Sequence, residues 1–100
     1  MRVVVTGGTG VLGRAVAASA RRLGHDVVTV SRRDMEDVHG IVHRRADIVT
    51  GEGLDAALAG ADAVVDATNS PRAAPSFFAG GMRKLLDAAV RARVRHVVAV

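Results

Sequence analysis

Near its amino terminus the chain reads Thr6-Gly7-Gly8-Thr9-Gly10-Val11-Leu12-Gly13, directly after the apolar segment Val3-Val4-Val5 and directly before a stretch of helical period. Glycine readily adopts a positive φ and lets a ligand approach the backbone closely. The free N–H groups and the positive dipole end of the following helix attract anions. Together, strand, turn and helix predict a nucleotide-binding turn, the competing interpretation being a glycine-rich turn without a ligand.

The glycines fit two spacings, Gly7-x-x-Gly10-x-x-Gly13 and Gly8-x-Gly10-x-x-Gly13. Both spacings place Gly10 toward the phosphates of a dinucleotide and Gly13 at the contact between helix and strand. The cofactor-binding residues predicted in this turn are Gly7, Thr9, Gly10, Val11, Leu12 and Gly13.

Short apolar runs alternate with segments of helical period, which is typical of βαβ units that build a parallel sheet. Strands are predicted at residues 2–6, 26–30, 41–45, 63–67 and 95–100, and Val-Val pairs at 27–28, 64–65 and 97–98 favour burial on both faces. Right-handed crossovers give the strand order 3-2-1-4-5. The switch point then lies between the first and fourth strands, where the glycine turn is located.

Three helices are predicted at residues 12–23, 51–59 and 76–92. The inward face of the first is expected to carry Leu12, Ala15, Val16, Ala20 and Leu23. The inward residues of the other two are expected to be Leu54, Ala57 and Leu58, and then Phe78, Met82, Leu85, Leu86 and Ala89. The connection over residues 31–40 is too short for more than one or two helical turns.

The end of the second strand, Ser31-Arg32-Arg33, bears on the identity of the cofactor. Such folds present there either an acid for the adenosine ribose or a cation for a 2′-phosphate. Two guanidinium groups suit a phosphate, so Arg32 and Arg33 favour NADP over NAD. A solvent-facing arginine pair, or Asp34 folding back onto the ribose to restore NAD, are the alternatives. Arg14 is either a further 2′-phosphate contact or an exposed first-turn arginine.

Two further segments lie where the same groove is predicted. Asp47 and Ile48 follow the third strand and are placed to meet the adenine, the alternative being a loop acid and a core isoleucine. Ala67, Thr68 and Asn69 end the fourth strand and should flank the cofactor ribose, although Asn-Ser-Pro is also ordinary turn chemistry. Asp66, inside that strand, is expected to cap or to pair locally.

The composition of the chain restricts the classes of protein to which it could belong. The 100 residues, 49% of them hydrophobic, suit one domain, and no apolar run approaches the roughly 18 residues of a membrane span. The absence of cysteine fits a reducing cytosol, and the scattered histidines read as surface or strand-end side chains and not as metal ligands. The net charge of +4 comes from dispersed arginines without Tyr or Trp, which disfavours nucleic acid.

The chain resembles the short-chain dehydrogenase/reductase superfamily, and more closely its atypical NmrA-like, NAD(P)H-binding branch. The resemblance lies in the glycine turn and in the segments Ser31-Arg32-Arg33, Asp47-Ile48 and Ala67-Thr68-Asn69. The resemblance implies an α/β, Rossmann-type, doubly wound sheet over residues 1–100 and an NADP-dependent oxidoreductase that transfers hydride to or from a carbonyl-like or quinone-like substrate. The alternative that it implies is a non-catalytic sensor of nicotinamide redox state. A weaker interpretation is a Rossmann unit for FAD or S-adenosylmethionine.

The resemblance also implies a longer protein, with a catalytic Ser/Thr after the fifth strand and a later Tyr-x-x-x-Lys pair. The chain has no tyrosine, its lysine is Lys84, and it stops at Val100 inside an apolar strand. We therefore expect either the N-terminal portion of a larger, cytoplasmic protein or a truncated gene product, with no catalytic residue present. The predicted order leaves one face of strands 4 and 5 uncovered, which favours dimerisation, aggregation or a missing segment that covers this face.

Overall fold

The computed structural model describes residues 1–7, 10–67 and 75–100, with residues 75–82 described by their backbone only. The predictions made for Thr9, Thr68 and Asn69 lie outside the described residues, as do those for the side chains of Phe78 and Met82. The elements are, in order, β1 (Arg2–Thr6), α1 (Val11–Arg22), β2 (Asp26–Ser31), β3 (Val42–Arg45), α2 (Leu54–Leu58), β4 (Ala63–Asp66), α3 (Pro75–Arg91) and β5 (His96–Ala99).

The five strands form one sheet in the order β3-β2-β1-β4-β5, and every pairing is parallel. This confirms the predicted fold class and strand order. The central strand β1 lies between β2 and β4, with Val4 opposite both Val28 and Val64. The carboxyl ends of these three strands therefore open at one edge of the sheet, and the glycine turn leaves β1 at that edge.

Each face of the sheet carries its own core. On one face Val3, Val5 and Val27 pack with Ala17 of α1. On the other face the core combines strand residues with residues of α2 and α3, namely Val4, Val28, Val30, Val64, Leu54, Ala57, Leu58, Leu85, Ala88 and Ala89. The predicted inward face of α2 is confirmed.

The predicted inward face of α1 is wrong at its ends. The residues that face the sheet are Gly13, Val16, Ala17 and Ala20, while Leu12, Ala15 and Leu23 are exposed, Leu23 by 77%. The observed set follows the helical spacing and has small residues at its centre, which lets the helix axis approach the strands closely. The leucines at the two ends are rotated away from that line of contact.

A similar correction applies near the chain's end. In α3 the inward residues after position 82 are Leu85, Ala88 and Ala89, whereas Leu86 is 43% exposed. The pair Val97 and Val98 was expected to be buried on both faces, yet both are exposed, Val98 by 52%. Since β5 is an edge strand and no described element covers Val98, the predicted open face of strands 4 and 5 is present.

Residues with positive φ shape two of the connections, and only the first of these differs from the prediction. Helix α2 begins at Leu54, not at position 51, because Gly51 and Gly53 both have left-handed backbones, which cannot continue a helix. The segment between β2 and β3 contains no helix and closes in a two-residue turn, where His39 and Gly40 both have positive φ between the paired Val38 and Ile41.

Within the residues described, no helix combines the length and apolar character that a bilayer crossing requires.

Candidate functional site

The glycine turn connects the end of β1 to the start of α1 at the carboxyl edge of the sheet. Gly7 has a φ of 72°, and its N–H donates to the carbonyl of Val30 at 3.0 Å. Gly10 is the N-cap of α1, without a side-chain cap, and its N–H donates to the Gly7 carbonyl at 3.1 Å. The first-turn N–H groups of this 12-residue helix therefore begin beside the ends of β1 and β2.

The two glycines at the helix start have different environments. Gly10 has an ordinary extended backbone, φ −77° and ψ 170°, and a Cβ built there would meet only the Gly7 carbonyl oxygen, at 3.5 Å, among the described residues. Neither backbone conformation nor packing against those residues therefore requires glycine at position 10. Gly13, by contrast, is buried on the face of α1 that packs on the sheet, as predicted. Val11 and Leu12 are exposed at the mouth of the turn.

At the switch point the two strand ends are joined by a side-chain hydrogen bond. Thr6 Oγ1 donates to Asp66 Oδ1 at 2.8 Å, and both residues are buried. Asp66 was expected to cap or to pair locally; its partner Thr6 instead lies on the neighbouring strand, 60 residues away in the sequence. Directly after it, the Ala67 N–H donates to the Thr6 carbonyl at 3.0 Å, so the Ala67 backbone lies at the same edge as the glycine turn.

The turn after β2 holds the predicted arginine pair on an ordered backbone. The Arg33 N–H donates to Ser31 Oγ at 3.3 Å, and the Arg32 carbonyl accepts from Arg45 Nε at 3.1 Å. Both Arg32 and Arg33 are exposed, and neither guanidinium has an ion-pair or hydrogen-bond partner in the part of the chain that the structure describes. Their charges are therefore available to an anion.

Arg32 and Asp47, predicted separately, meet in one cavity. Its volume is about 170 Å³, and the residues that line it are Arg32, Arg45, Ala46, Asp47, Glu52 and Gly53. Asp47 Oδ1 accepts from the Val49 N–H at 2.8 Å, which leaves Oδ2 as a second acceptor. Ile48 is half-buried and packs against the core beneath α2 and α3. It is therefore a core residue, which was the alternative given for it.

Sequence reasoning missed Arg45 and His43, both on β3. A signal for Arg45 existed, because the predicted order places the end of the third strand beside the end of the second, and Ser31 is in fact opposite Arg45. His43 was expected at a surface or a strand end but is only 8% exposed. Its burial depends on how the segment 32–41 folds over the sheet edge, which the spacing of apolar residues does not reveal.

A larger cavity, of about 390 Å³, lies between α1 and the segment that connects β2 to β3, and its apolar lining includes Ala17, Met35 and Ile41. Arg14 lines the rim of this cavity and is exposed. Arg14 therefore lies between the glycine turn and the segment that connects β2 to β3. The described residues contain no group of three His, Asp or Glu side chains that could hold a metal ion.

Comparison with known proteins gives a consistent family. A family model described as NAD(P)H-binding matches residues 7–100. A solved structure of a protein from Burkholderia pseudomallei is similar with a TM-score of 0.83 and 31% identity, covering 99% of this chain and 47% of that one. The search of curated proteins gave no match.

Two further solved structures carry a stated activity or ligand. A short-chain dehydrogenase/reductase superfamily protein from Agrobacterium tumefaciens with bound NAD has a TM-score of 0.80 and 33% identity, covering 99% of this chain and 32% of that one. A nucleoside-diphosphate-sugar epimerase from Pseudomonas aeruginosa has a TM-score of 0.80 and 26% identity, with the same two coverages of 99% and 32%. The chain thus spans 32% to 47% of the length of these proteins.

Proposed function

The chain belongs to the NAD(P)H-binding family, and from this premise we propose that residues 1–100 form the NADP(H)-binding part of an oxidoreductase. The reaction would move hydride between the cofactor and a small carbonyl-like or quinone-like substrate. The observation that carries the choice of NADP is the exposed pair Arg32 and Arg33, which follows β2 and has no ion pair among the described residues. The bond from the Gly7 N–H to the Val30 carbonyl brings the glycine turn beside the same strand end.

The glycine turn is the proposed pyrophosphate site. The first-turn N–H groups of α1 supply donors and a positive dipole end, and the open surface at Gly10 admits a close approach by the ligand. No acidic residue lies in the first turn of α1 to oppose a bound phosphate. These features fit the donor set that a diphosphate needs.

The arginine pair is the proposed 2′-phosphate site. Charge-assisted hydrogen bonds from guanidinium to phosphate are among the stronger polar interactions in proteins. Because the guanidinium groups of Arg32 and Arg33 lack partners among the described residues, binding a phosphate would not require an existing ion pair to break. Asp34, the residue that would favour NAD, is exposed and follows the pair instead of preceding it.

The 170 Å³ cavity beside Arg32 is the proposed adenine site. Asp47 Oδ2 would accept from the exocyclic amine, since Oδ1 is already held by Val49. Ile48 does not line this cavity; packing of its exposed part on the adenine ring stays a proposal, and its buried part belongs to the core. The Ala67 backbone, at the end of β4, would flank the ribose together with Thr68 and Asn69.

When bound, the nicotinamide ring supplies the hydride chemistry, and the residues of this chain hold and orient the cofactor. We assign no catalytic residue within the described residues. The dehydrogenase/reductase and epimerase neighbours support hydride chemistry for the family without indicating a substrate for this chain.

The test compares NADPH and NADH titrations of the wild-type chain with those of Arg32→Ala and Arg33→Ala, followed by protein or cofactor fluorescence. We expect the wild type to prefer NADPH and each variant to lose about 1 to 3 kcal/mol of NADPH binding free energy, with little change for NADH. Arg95→Ala removes the same charge at the opposite end of the strands and should change neither affinity.

Equal losses for both cofactors would refute the 2′-phosphate assignment. Indifference of the wild type to the 2′-phosphate would favour NAD or another adenosine ligand. If NADPH binds with the expected pattern but is not oxidised with any carbonyl or quinone by the protein carrying this chain, the redox-sensor alternative is supported instead.

A further inference from the structure

His43 is a buried histidine whose ring is hydrogen-bonded on both sides. It lies on the edge strand β3, opposite Thr29 of β2. Nδ1 is 2.9 Å from Thr29 Oγ1, and Nε2 is 2.8 Å from the Arg33 carbonyl oxygen. The ring therefore connects the interior of the sheet to the turn that carries the arginine pair.

The chemistry of these partners assigns the ring hydrogen. A carbonyl oxygen can only accept, so Nε2 must carry the hydrogen that is donated to Arg33. In the neutral ring Nδ1 then accepts from the Thr29 hydroxyl. Ser31 Oγ lies 3.2 Å from Nε2 and also accepts from the Arg33 N–H, so ring, hydroxyl and peptide form one connected group.

The backbone of His43 is fastened to the same loop. Its N–H donates to Asp37 Oδ1 at 2.9 Å. Arg45, two residues further along the same strand, donates from Nε to the Arg32 carbonyl. Side chains of β3 thus hold the peptide carbonyls of both arginines, although no contact from the described residues reaches either guanidinium.

We propose that His43 is a positioning residue that sets the discrimination between NADPH and NADH. The inference rests on the proposed function of Arg32 and Arg33 as the 2′-phosphate site. Long arginine side chains lose considerable rotamer entropy when they order on a ligand. Because the hydrogen bond from His43 already fixes the Arg33 carbonyl, the backbone loses less conformational entropy when the arginine binds a phosphate. The bond would therefore strengthen phosphate binding although His43 does not contact the phosphate.

Two substitutions of His43 keep a polar side chain at this position but differ in whether its nitrogen can reach the Arg33 carbonyl oxygen. In His43→Gln the amide nitrogen lies near the former Nε2 and can still donate to the Arg33 carbonyl. In His43→Asn the amide reaches only the position of Nδ1, so the bond to Arg33 is lost. The readout is the ratio of the NADH and NADPH dissociation constants for each variant.

We expect His43→Asn to reduce this ratio about fivefold to tenfold, the effect of one buried hydrogen bond, by weakening NADPH alone. His43→Gln should retain the ratio to within about twofold, and Arg33→Ala, which removes one of the two proposed phosphate-binding charges, should reduce the ratio by at least about fivefold. A general loss of folding would instead weaken both cofactors together, and melting curves of both variants monitor it.

The outcomes separate this proposal from the one it rests on. If the arginine substitutions reduce the preference and His43→Asn retains it, the positioning role is overturned while the NADP assignment stands. If the wild type shows no preference, both fail. Nitrogen NMR of the wild-type imidazole tests the geometry without any substitution, since a ring protonated only at Nδ1 would contradict the bond to Arg33.

Discussion

The Thr6 hydroxyl donates to the Asp66 carboxylate at 2.8 Å, joining the last residues of β1 and β4 across the switch point of the sheet. Both side chains are buried on the face of the sheet that α2 and α3 cover. A buried hydroxyl that donates to a carboxylate contributes more than an average neutral hydrogen bond. The bond therefore fixes the separation of the two strand ends between which the glycine turn begins.

Replacing Thr6 by Val keeps the shape of the side chain and removes the donor. We expect the free energy of unfolding to fall by about 1.5 to 3 kcal/mol, since a buried carboxylate loses a partner. Urea denaturation followed by circular dichroism measures the change. Thr50→Val is the matched control, because the Thr50 hydroxyl accepts only an exposed turn bond from Glu52, and its loss should cost less than about 1 kcal/mol. Equal effects of the two substitutions would contradict the importance of the buried bond.

Gly10→Ala should separate ligand binding from folding. The backbone at Gly10 accepts a side chain, so stability should stay unchanged or rise by up to about 1 kcal/mol. A methyl group at this position would hold a pyrophosphate away from the backbone, so NADPH and NADH should both bind at least about tenfold more weakly.

Gly7→Ala is the contrasting variant, because its φ of 72° should cost about 1 to 2 kcal/mol of stability. Thermal melts and cofactor titrations of both variants make the comparison. Undiminished affinity in Gly10→Ala would remove the phosphate role from the turn.

Gly53→Ala tests the close approach between the start of α2 and the end of β3. A Cβ at Gly53 would lie 2.7 Å from the Arg45 carbonyl oxygen, in addition to the strain of a φ of 81°. Gly24 has a similar φ of 87° with nothing within 4 Å of the added Cβ, so Gly24→Ala should cost only the left-handed strain of about 1 to 2 kcal/mol. We expect denaturant titrations to show a larger loss of unfolding free energy for Gly53→Ala than for Gly24→Ala. A smaller loss for Gly53→Ala would show that the backbone around Gly53 relaxes freely.

The open face of β4 and β5 is expected to make the chain self-associate, with a second copy as the occupant. Val98 and Val100 are exposed, and Val65 beside Val98 is only half-buried. Val98→Lys should lower the association constant measured by sedimentation, because a charge would have to be buried. Val90→Lys changes an exposed valine of α3 and should have no effect. A wild type that remains monomeric at high concentration would refute this expectation.

Much of the architecture is encoded locally. The strand, glycine turn and helix at residues 2–22 follow from a short apolar run, from residues that permit a tight reversal and from helical spacing. The order 3-2-1-4-5 then follows from the right-handedness of crossover connections. The pair Arg32 and Arg33 could be assigned to the same edge as the glycine turn for the same reason, because parallel strands end together.

Which side chains face inward could be predicted only where the helix has a single apolar stripe. Leu23, directly after α1, and Leu86 of α3 are apolar yet exposed, while Gly13, Ala17 and Ala88 are buried. Which apolar face a helix turns toward the sheet depends on the packing of both elements together, and the sequence of the helix alone does not contain it.

By itself, then, the sequence determined the strand–turn–helix unit, the parallel sheet and the position of the arginine pair. The reason is that hydrophobic periodicity, glycine conformation and the handedness of crossovers act within a segment or between neighbouring segments. The tertiary structure alone decided that His43 is buried and that its ring holds the Arg33 carbonyl. Residues ten apart in the chain meet there because the segment after β2 folds back over the edge strand. Hydrogen bonds of this kind depend on distances across the fold, which no local pattern of residue types specifies.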